Sequence, residues 1–481
     1  MTVDIIWLRN DFRLDDQPGI AEVEGRPALF VYVHDESARN GRPPGGAAKW
    51  RLAKALGAFE KRLAARGGRL DIVAGRADET VLRLAAAAGA ARVLWTRRYE
   101  AAAIDLDAAV KSSLRERGVE AASFNGRLMR EPWDLAGDAR PPRTFSAFWR
   151  RHQDLGPLAP PLAAPKRLER APWPEDGPRR VAIADLKLTP TQPDWAGELA
   201  EDEEPGESGA LRALERFVEI ELANYPQARD LAGEDATSRL SAHLAFGEIS
   251  ARRASESAGS AATADPRLLR AAEKYAAELG WRDFAHALLF IHPDMATKPL
   301  REDFSHFPWR EDETAFRAWS LGRTGYPLVD AGMRQLWRTG YMHNRVRMVV
   351  ASFLSKHLLI DWRRGEAWFW DTLCDADPAS NPMNWQWVAG SGADAAPYFR
   401  IFNPVLQGEK FDAEGSYVRR WVPELAKMSA SHIHRPWDAT DEALRKADVA
   451  LGETYPRPIV DHAAARARAL AAFDAMRGKP R

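Results

Sequence analysis

VDIIWL, residues 3–8, is a short apolar run rich in β-branched side chains, and it stops at Arg9 and Asp11. A run of that length bounded by charge reads as a buried strand entering a loop. It is too short for the apolar core of a secretory leader. Similar runs recur at ALFVYVH (28–34), RLDIVAG (69–75), RVLWT (92–96) and VEAASF (119–124). Between them lie AAKWRLAKALGAFEKRLAARG (47–67), DETVLRLAAAAGA (78–90) and AAIDLDAAVKSSLRERG (102–118), each with helical spacing and a charged outer face. Strand and helix alternating in this way predict a doubly wound parallel sheet, an α/β domain over residues 1–128. No GxGxxG follows the first strand, so a Rossmann-type dinucleotide site is not expected there.

From 129 to 206 the pattern is lost. RPPRTFSAFWRRHQDLGPLAPPLAAPKRLERAPWPEDGP (140–178) is dense in proline and reads as a long interdomain linker. Residues 207–481 are rich in helical patterns and poor in strand signals, which predicts an all-helical second domain.

The 481 residues are 45% apolar, enough for more than one packed core, and carry a formal net charge of +0. A neutral chain has no global attraction to nucleic acid or membrane, although a local basic face can still form. The single cysteine, Cys374, allows no intrachain disulfide and points to a reducing, cytoplasmic compartment. No stretch approaches the roughly 20 apolar residues of a membrane span.

Half of the 18 tryptophans fall between Trp281 and Trp387. Large aromatics fill helical cores, but closely spaced, oxidisable indoles can also relay an electron hole. YPQARDLAGEDATSRLSAHLAFGEIS (225–250) places Thr237, Ser238 and Arg239 at an expected helix start. Hydroxyls, free N–H groups and a guanidinium there suit a phosphate, and equally an ordinary N-cap. In AAELGWRDFAHALLF (276–290), Glu278 and Trp281 are three apart and share a helix face, as a pocket edge or as a surface acid over a buried ring. Between 323 and 364, eight Lys/Arg stand against Asp330 and Asp361, a local excess of six. Such a patch fits a phosphate backbone or a solvated basic face. His432 and His434 lack further ligands for a metal, and no nucleophile elbow or Walker loop occurs.

WLRNDFRLDD (7–16), TSRLSAHLAFGEIS (237–250), ELGWRDF (278–284), GYPLVDAGMRQL (325–336), GYMHNRVRMVVASFLSKHLLIDWR (340–363), NWQWVAGSGADAAPYFRIFNPVLQGEKFD (384–412) and YPRPIVDH (455–462) follow one another in this order. With them the chain resembles the photolyase/cryptochrome family along nearly its whole length. It is most similar to bacterial members that repair cyclobutane pyrimidine dimers, with class I and class III both open.

The resemblance implies a non-covalent FAD. Tyr225, Thr237, Ser238, Arg239, Leu240, Ser241 and Arg282 would hold its phosphate region. Asn344, Arg347, Asp375 and Asp377 would surround its rings, with Arg347 and Asp375 paired, and Asn381 would face the flavin N5. Trp385, Trp362 and Trp309 would form the electron relay from flavin to surface. Glu278 would hydrogen-bond the dimer carbonyls, Trp281, Trp387, Asn344 and Met348 would line the lesion pocket, and Arg229 and Arg345 would contact phosphates. The implied reaction is light-driven electron donation to a flipped-out dimer, ring splitting and return of the electron.

Tyr275 and Tyr341 stand where relatives often have Trp, and Asn384 replaces a common Gly. Folate-binding relatives often carry an Asn-Glu pair where this chain has Ala102 and Ala103. The expected antenna is still 5,10-methenyltetrahydrofolate, with Glu100 as a contact, while 8-hydroxy-5-deazaflavin or no antenna stay open. UV-damaged DNA is the expected partner and a monomer the expected state. A cryptochrome-like photoreceptor is the nearest rival, disfavoured by the complete pocket set and by a chain that stops soon after YPRPIVDH. A (6-4) photolyase fits less well, because Met348 stands where those enzymes typically bring a catalytic His. A nucleic-acid-binding module with a vestigial flavin is the reading from another class.

Overall fold

A computed structural model describes residues 2–136, 143–190, 196–200, 204–394 and 399–478. The chain divides into two compact units. The first comprises Met1–Ala223, Ser238–Pro293 and Cys374–Ala379, and the second Asn224–Thr237, Asp294–Leu373 and Ser380–Arg481.

The first unit is built on a parallel sheet of β1 (Val3–Leu8), β2 (Pro27–His34), β3 (Leu70–Ala74), β4 (Ala90–Thr96) and β5 (Glu120–Phe124), in the order β3-β2-β1-β4-β5. The central strands are buried on both faces, which is why they read as continuous apolar runs. Ile6, Leu8, Phe30, Tyr32, Ile72 and Leu94 meet Leu52, Leu56 and Phe59 of α1 (Gly46–Ala64). Ile5, Trp7, Val31, Val33, Val93 and Trp95, one residue out of step, meet α2 (Ala77–Ala88) and α3 (Ala101–Glu116) through Val81, Leu84, Leu106, Val110 and Leu114. The expected doubly wound sheet is thus present, with helices on both faces.

The proline-dense stretch carries more structure than a linker. It contains α4 (Phe145–Asp154), capped by Thr144, whose hydroxyl accepts from Ala147 N at 3.4 Å. Its later part lies along the sheet: the short β6 (Glu169–Arg170) pairs with β2, and Val181 N donates to Ile72 O at 2.9 Å. Parts of it, 137–142, 191–195 and 201–203, lie outside the described residues.

The helices α5 (Glu207–Arg216), α6 (Ala251–Ala264) and α7 (Leu269–Ile291) cluster with the sheet. Charged side chains tie them to the first loop. Glu207 accepts from the backbone N of Leu14 and Asp15 at 3.1 and 2.8 Å, and Asp16 takes Ser250 Oγ and Arg252 at 2.5 and 2.6 Å. Composition marks these residues as helical but does not say what they pack against.

The second unit is helical: α8 (Glu313–Ser320), α9 (Pro327–Thr339), α10 (Asn344–Ser352), α11 (Trp362–Thr372), α12 (Ser380–Ala389), α13 (Pro404–Phe411) and α14 (His462–Met476). Asp330, fully buried near the start of α9, accepts from Thr324 N and Oγ1 at 2.7 Å, Gly325 N at 3.0 Å and Tyr455 Oη at 2.7 Å. Those bonds offset the cost of burying a carboxyl group. Among the described residues no helix is long and apolar enough to cross a membrane.

Candidate functional site

The expected phosphate-binding segment around Thr237 and Ser238 is a loop, not a helix cap. The helix begins only at Ser241, and Leu240 is its N-cap residue with no side-chain cap bond, so Thr237 and Ser238 cap nothing. Arg239 has φ 55°, a left-handed conformation that is uncommon for a residue with a side chain. Burial pushes the Tyr275 hydroxyl up to about 12, while the Ser238 side chain pulls it the other way.

Arg282 of α7 donates from Nη1 to Arg127 O and from Nη2 to Leu244 O, the latter at 3.4 Å. Burial draws its pKa below the usual value, Asp377 opposes that and the Arg127 charge adds to it. Asp377 is 5% exposed, and its Oδ1 accepts from Ala379 N at 2.9 Å. Arg127 and His286 approach its Oδ2 at 3.8 and 3.7 Å. Asp375 is half-buried nearby in the chain. Arg127 and His286 were not legible as site residues, since each neighbours Asp377 only through the fold.

Glu278 and Trp281 both lie on α7, as their spacing predicts. Lys274, one turn earlier, reaches Glu278 Oε1 at 2.8 Å. Phe145 of α4 lies flat on Trp281, with centroids 3.9 Å apart and planes at 9°. One indole face is therefore covered by a residue that the sequence reading left in the linker.

In the second unit α12 carries Asn381, Trp385 and Trp387. Asn381 Nδ2 donates to Glu366 Oε1 at 2.8 Å and to Glu366 O at 3.1 Å. Trp385, four residues on, is 2% exposed and packs edge-on against Phe369 at 4.9 Å and Trp319 at 6.2 Å. A Cβ at Gly365 would lie 2.1 Å from the Trp385 ring, so only glycine admits the indole there. Trp387, two residues on and so turned from that face, is half-buried and donates to Asp394 O at 3.0 Å.

Trp362 opens α11 and is 1% exposed, with the Arg363 guanidinium 4.9 Å from its ring centre. Trp309 is partly buried against Phe307 at 4.3 Å. Among the described residues no ring contact joins Trp385 to Trp362 or Trp362 to Trp309.

Arg229 and Arg345 converge on Asp230, at 4.0 and 2.7 Å. Arg229 also lies 5.5 Å over the Tyr225 ring, and Arg345 4.3 Å over Phe411. Asn344 is exposed at the start of α10, Met348 is half-buried, and Arg347 Nε donates to Met342 O at 2.7 Å. The local excess of six charges does not survive as a bare basic face. Arg334 pairs with Glu424 at 2.8 Å, Arg345 with Asp230, Arg363 with Asp361 at 2.8 Å and Arg364 with Glu313 at 2.5 Å. Lys356 is buried, its pKa far below the usual lysine value because of desolvation. Three of those carboxylates lie outside the sequence window, which is why a count along the chain overstates the charge.

In the sheet region Glu100 Oε2 accepts from Tyr99 N at 3.0 Å and Glu100 is the N-cap residue of α3. Its neighbour Arg98, just past β4, donates from Nη1 to Asn40 O at 2.8 Å. Its Nε and Nη2 are buried without a hydrogen-bond partner among the described residues, and desolvation brings the guanidinium down to about 10. No group of three or more potential metal ligands forms among the described residues.

The family model for DNA photolyase matches residues 4–166, and that for the FAD binding domain of DNA photolyase matches residues 275–475. The chain is 48% identical to a deoxyribodipyrimidine photo-lyase of Agrobacterium fabrum, over 98% of each chain. It is 35% identical to Cryptochrome-1 of Arabidopsis thaliana, over 96% of this chain and 69% of the relative. Among solved structures, a bacterial class III photolyase from Agrobacterium tumefaciens superposes with a TM-score of 0.93 at 46% identity, covering 100% of this chain and 98% of that one. With such relatives along its whole length, and with both family domains in place, the chain belongs to the photolyase/cryptochrome family.

Proposed function

We propose that this chain is a class III photolyase that repairs cyclobutane pyrimidine dimers in DNA under blue or near-UV light. The observation that carries the reading is its full-length likeness to a class III photolyase. FAD, when bound, supplies the one-electron donor that light excites.

The residues present fit that group. The hydroxyl of Ser241 makes no hydrogen bond among the described residues, and the Arg282 guanidinium is held by two backbone carbonyls, donors suited to a diphosphate. In this reading Tyr225, Thr237, Ser238, Arg239, Leu240, Ser241 and Arg282 bind the phosphate region. Asn344, Arg347, Asp375, Asp377 and Asn381 bind the ring system, and the bond to Glu366 orients the Asn381 amide.

Photolyases are a recognised example of enzymes that extrude a base, and a damaged, poorly paired site costs least to open. Trp281 and Trp387 stack on the extruded dimer, and Asn344 and Met348 close its pocket. Glu278, once protonated and released from Lys274, donates a hydrogen bond to the dimer carbonyls and stabilises negative charge that develops there. Arg229 and Arg345 meet backbone phosphates, which requires them to leave Asp230. Trp385, Trp362 and Trp309 pass electrons inward when the cofactor must be reduced. A methenyltetrahydrofolate antenna completes the reading: the buried, under-bonded Arg98 and its neighbour Glu100 provide contacts for an acceptor-rich ligand.

Repair of a thymine-dimer oligonucleotide by the reduced protein, in light and in the dark, tests the reading. Recovery of absorbance near ~260 nm in the light alone, as stacked thymines regain their conjugated rings, is the expected result. The 35% likeness to a cryptochrome favours a photoreceptor as the second reading. Flavin-loaded protein that binds DNA and repairs nothing would select it.

A further inference from the structure

We infer that Phe145 is a positioning residue for Trp281: it covers one indole face, fixes the ring plane and leaves a single face for an extruded pyrimidine. The inference rests on the reading of Trp281 as a wall of the lesion pocket.

Phe145, Phe148, Trp149 and His152 are spaced three and four apart and form one stripe of α4. That stripe lies on α7. Phe148 meets Phe284 at 5.1 Å, and Phe145 meets Trp281 at 3.9 Å with planes at 9°. Trp149 continues the stack, 6.0 Å from Phe145 at 14°, and His152 lies 4.7 Å beyond at 23°. Phe284 closes on Trp281 from the side, at 5.8 Å and 72°. The indole is thus held on a face and against a neighbouring edge, both favourable aromatic geometries.

The arrangement depends on the residue before Trp281. A Cβ at Gly280 would stand 2.4 Å from the Trp149 ring, so glycine lets α4 approach α7 closely enough for Phe145 to reach the indole. Phe148 and His152 are buried and anchor α4, while Phe145 and Trp281 are half-buried and reach the surface. A surface indole with no such support would have to be immobilised when ligand binds, at a cost in affinity. Phe145 sits in the first turn of a helix capped by Thr144, so it meets that cost during folding. With one face already covered, Trp281 can stack on one base only, which suits a lesion whose two rings are covalently joined.

The test compares wild-type, W281A, F145L and F145Y holoprotein. Dark binding to a dimer-containing duplex is followed by fluorescence anisotropy, and repair per absorbed photon is measured with the lesion saturating. We expect F145L to raise Kd about fivefold, a fraction of what one base–aromatic stack contributes. Repair per bound lesion stays unchanged, and F145Y restores wild-type affinity. The near-UV circular dichroism of the apoprotein, sensitive to stacked indoles, should change in F145L and not in F145Y. If F145L does not fold, F145M fills a similar volume with a flexible chain and carries the same expectations. Wild-type affinity in F145L, alongside weakened binding by W281A, would overturn the inference and leave the lesion reading standing. Tighter binding by F145L would also overturn it, because Phe145 would then be occupying the base's own place. Unchanged binding by W281A would remove the lesion role of Trp281, and the inference with it.

Discussion

Asn381 donates its side-chain amide to the carboxylate and to the backbone carbonyl of the same residue, Glu366, at 2.8 and 3.1 Å. Both are buried, Glu366 at 3% exposed and Asn381 at 8%. With its NH2 group engaged twice, the amide cannot rotate freely, and its carbonyl oxygen points away from Glu366. An Asn offered to a flavin N5 needs such a fixed orientation. Glu366→Ala should lower stability by about 1–3 kcal/mol, the penalty for leaving a buried polar group unpaired, and speed air oxidation of the reduced cofactor. Glu366→Gln keeps an acceptor and should stay near wild type. Thermal melts and decay of reduced-flavin absorbance check both, and an alanine variant matching wild type in the second would deny Glu366 that role.

Gly365→Ala places a methyl group 2.1 Å from the Trp385 ring. The expected loss is about 1–3 kcal/mol, as for overpacking of a filled core, seen as a lower urea midpoint. A neutral result would show that the indole has room to shift.

If the proposed relay runs through Trp362, Trp362→Phe should block light-driven reduction of the oxidised cofactor and spare repair by chemically reduced enzyme, because in that reading the relay serves reduction and not the repair step. Normal photoreduction in that variant would mean that electrons enter elsewhere, and the edge-on Trp319 beside Trp385 would be the first residue to replace next.

Glu278→Ala should lower the quantum yield of repair more than it lowers lesion affinity, since a donor placed at developing charge acts chiefly in the reaction. Removal also breaks the ion pair with the exposed Lys274, its partner at 2.8 Å. Lys274→Met is the control that separates the two effects, and an unchanged yield in Glu278→Ala would rule the carboxyl out of the chemistry.

Acid should weaken the second unit through His357. Its Nε2 lies 2.8 Å from His462 Nδ1, and burial, with the His462 charge adding to it, brings its pKa down to about 3. An unfolded imidazole takes up a proton near ~6.5. Between that value and about 3 the unfolded chain binds the extra proton, so stability is fully present above ~6.5 and falls as pH drops, by at most ~1.4 kcal/mol per pH unit. His357→Phe should flatten the fall in urea midpoint between pH 7 and pH 5 without abolishing it, since burial also holds His434 down. A slope identical to wild type would place the titrating groups elsewhere.

The fold was legible where local pattern and burial agree. Strands such as VDIIWL are almost wholly apolar because both sheet faces are covered; their alternate apolar residues fall into two separate cores, and the one charge, Asp4, is buried against Arg26 and Arg92. Glu278 and Trp281 share a helix face because three residues nearly complete a turn. Trp385 and Trp387 point apart because two residues cover little more than half of one.

What failed to show in the sequence was of another kind. The α4 stripe was hidden by the prolines that surround it, although TFSAFWRRH carries both a cap residue and helical spacing. Glu366 fifteen residues before Asn381, Arg127 beside Asp377 and Phe145 on Trp281 are pairings between elements, and nothing local fixes them. The excess of basic residues between 323 and 364 was real as a count, yet Asp230, Glu313 and Glu424 return to neutralise part of it. The sequence by itself determined the alternating sheet, the helical remainder and the residue types its chemistry needs, because periodicity and side-chain chemistry act over a few residues. The tertiary structure alone decided which of those side chains are buried, oriented or neutralised, because burial, stacking and ion pairing depend on distance in space and not along the chain.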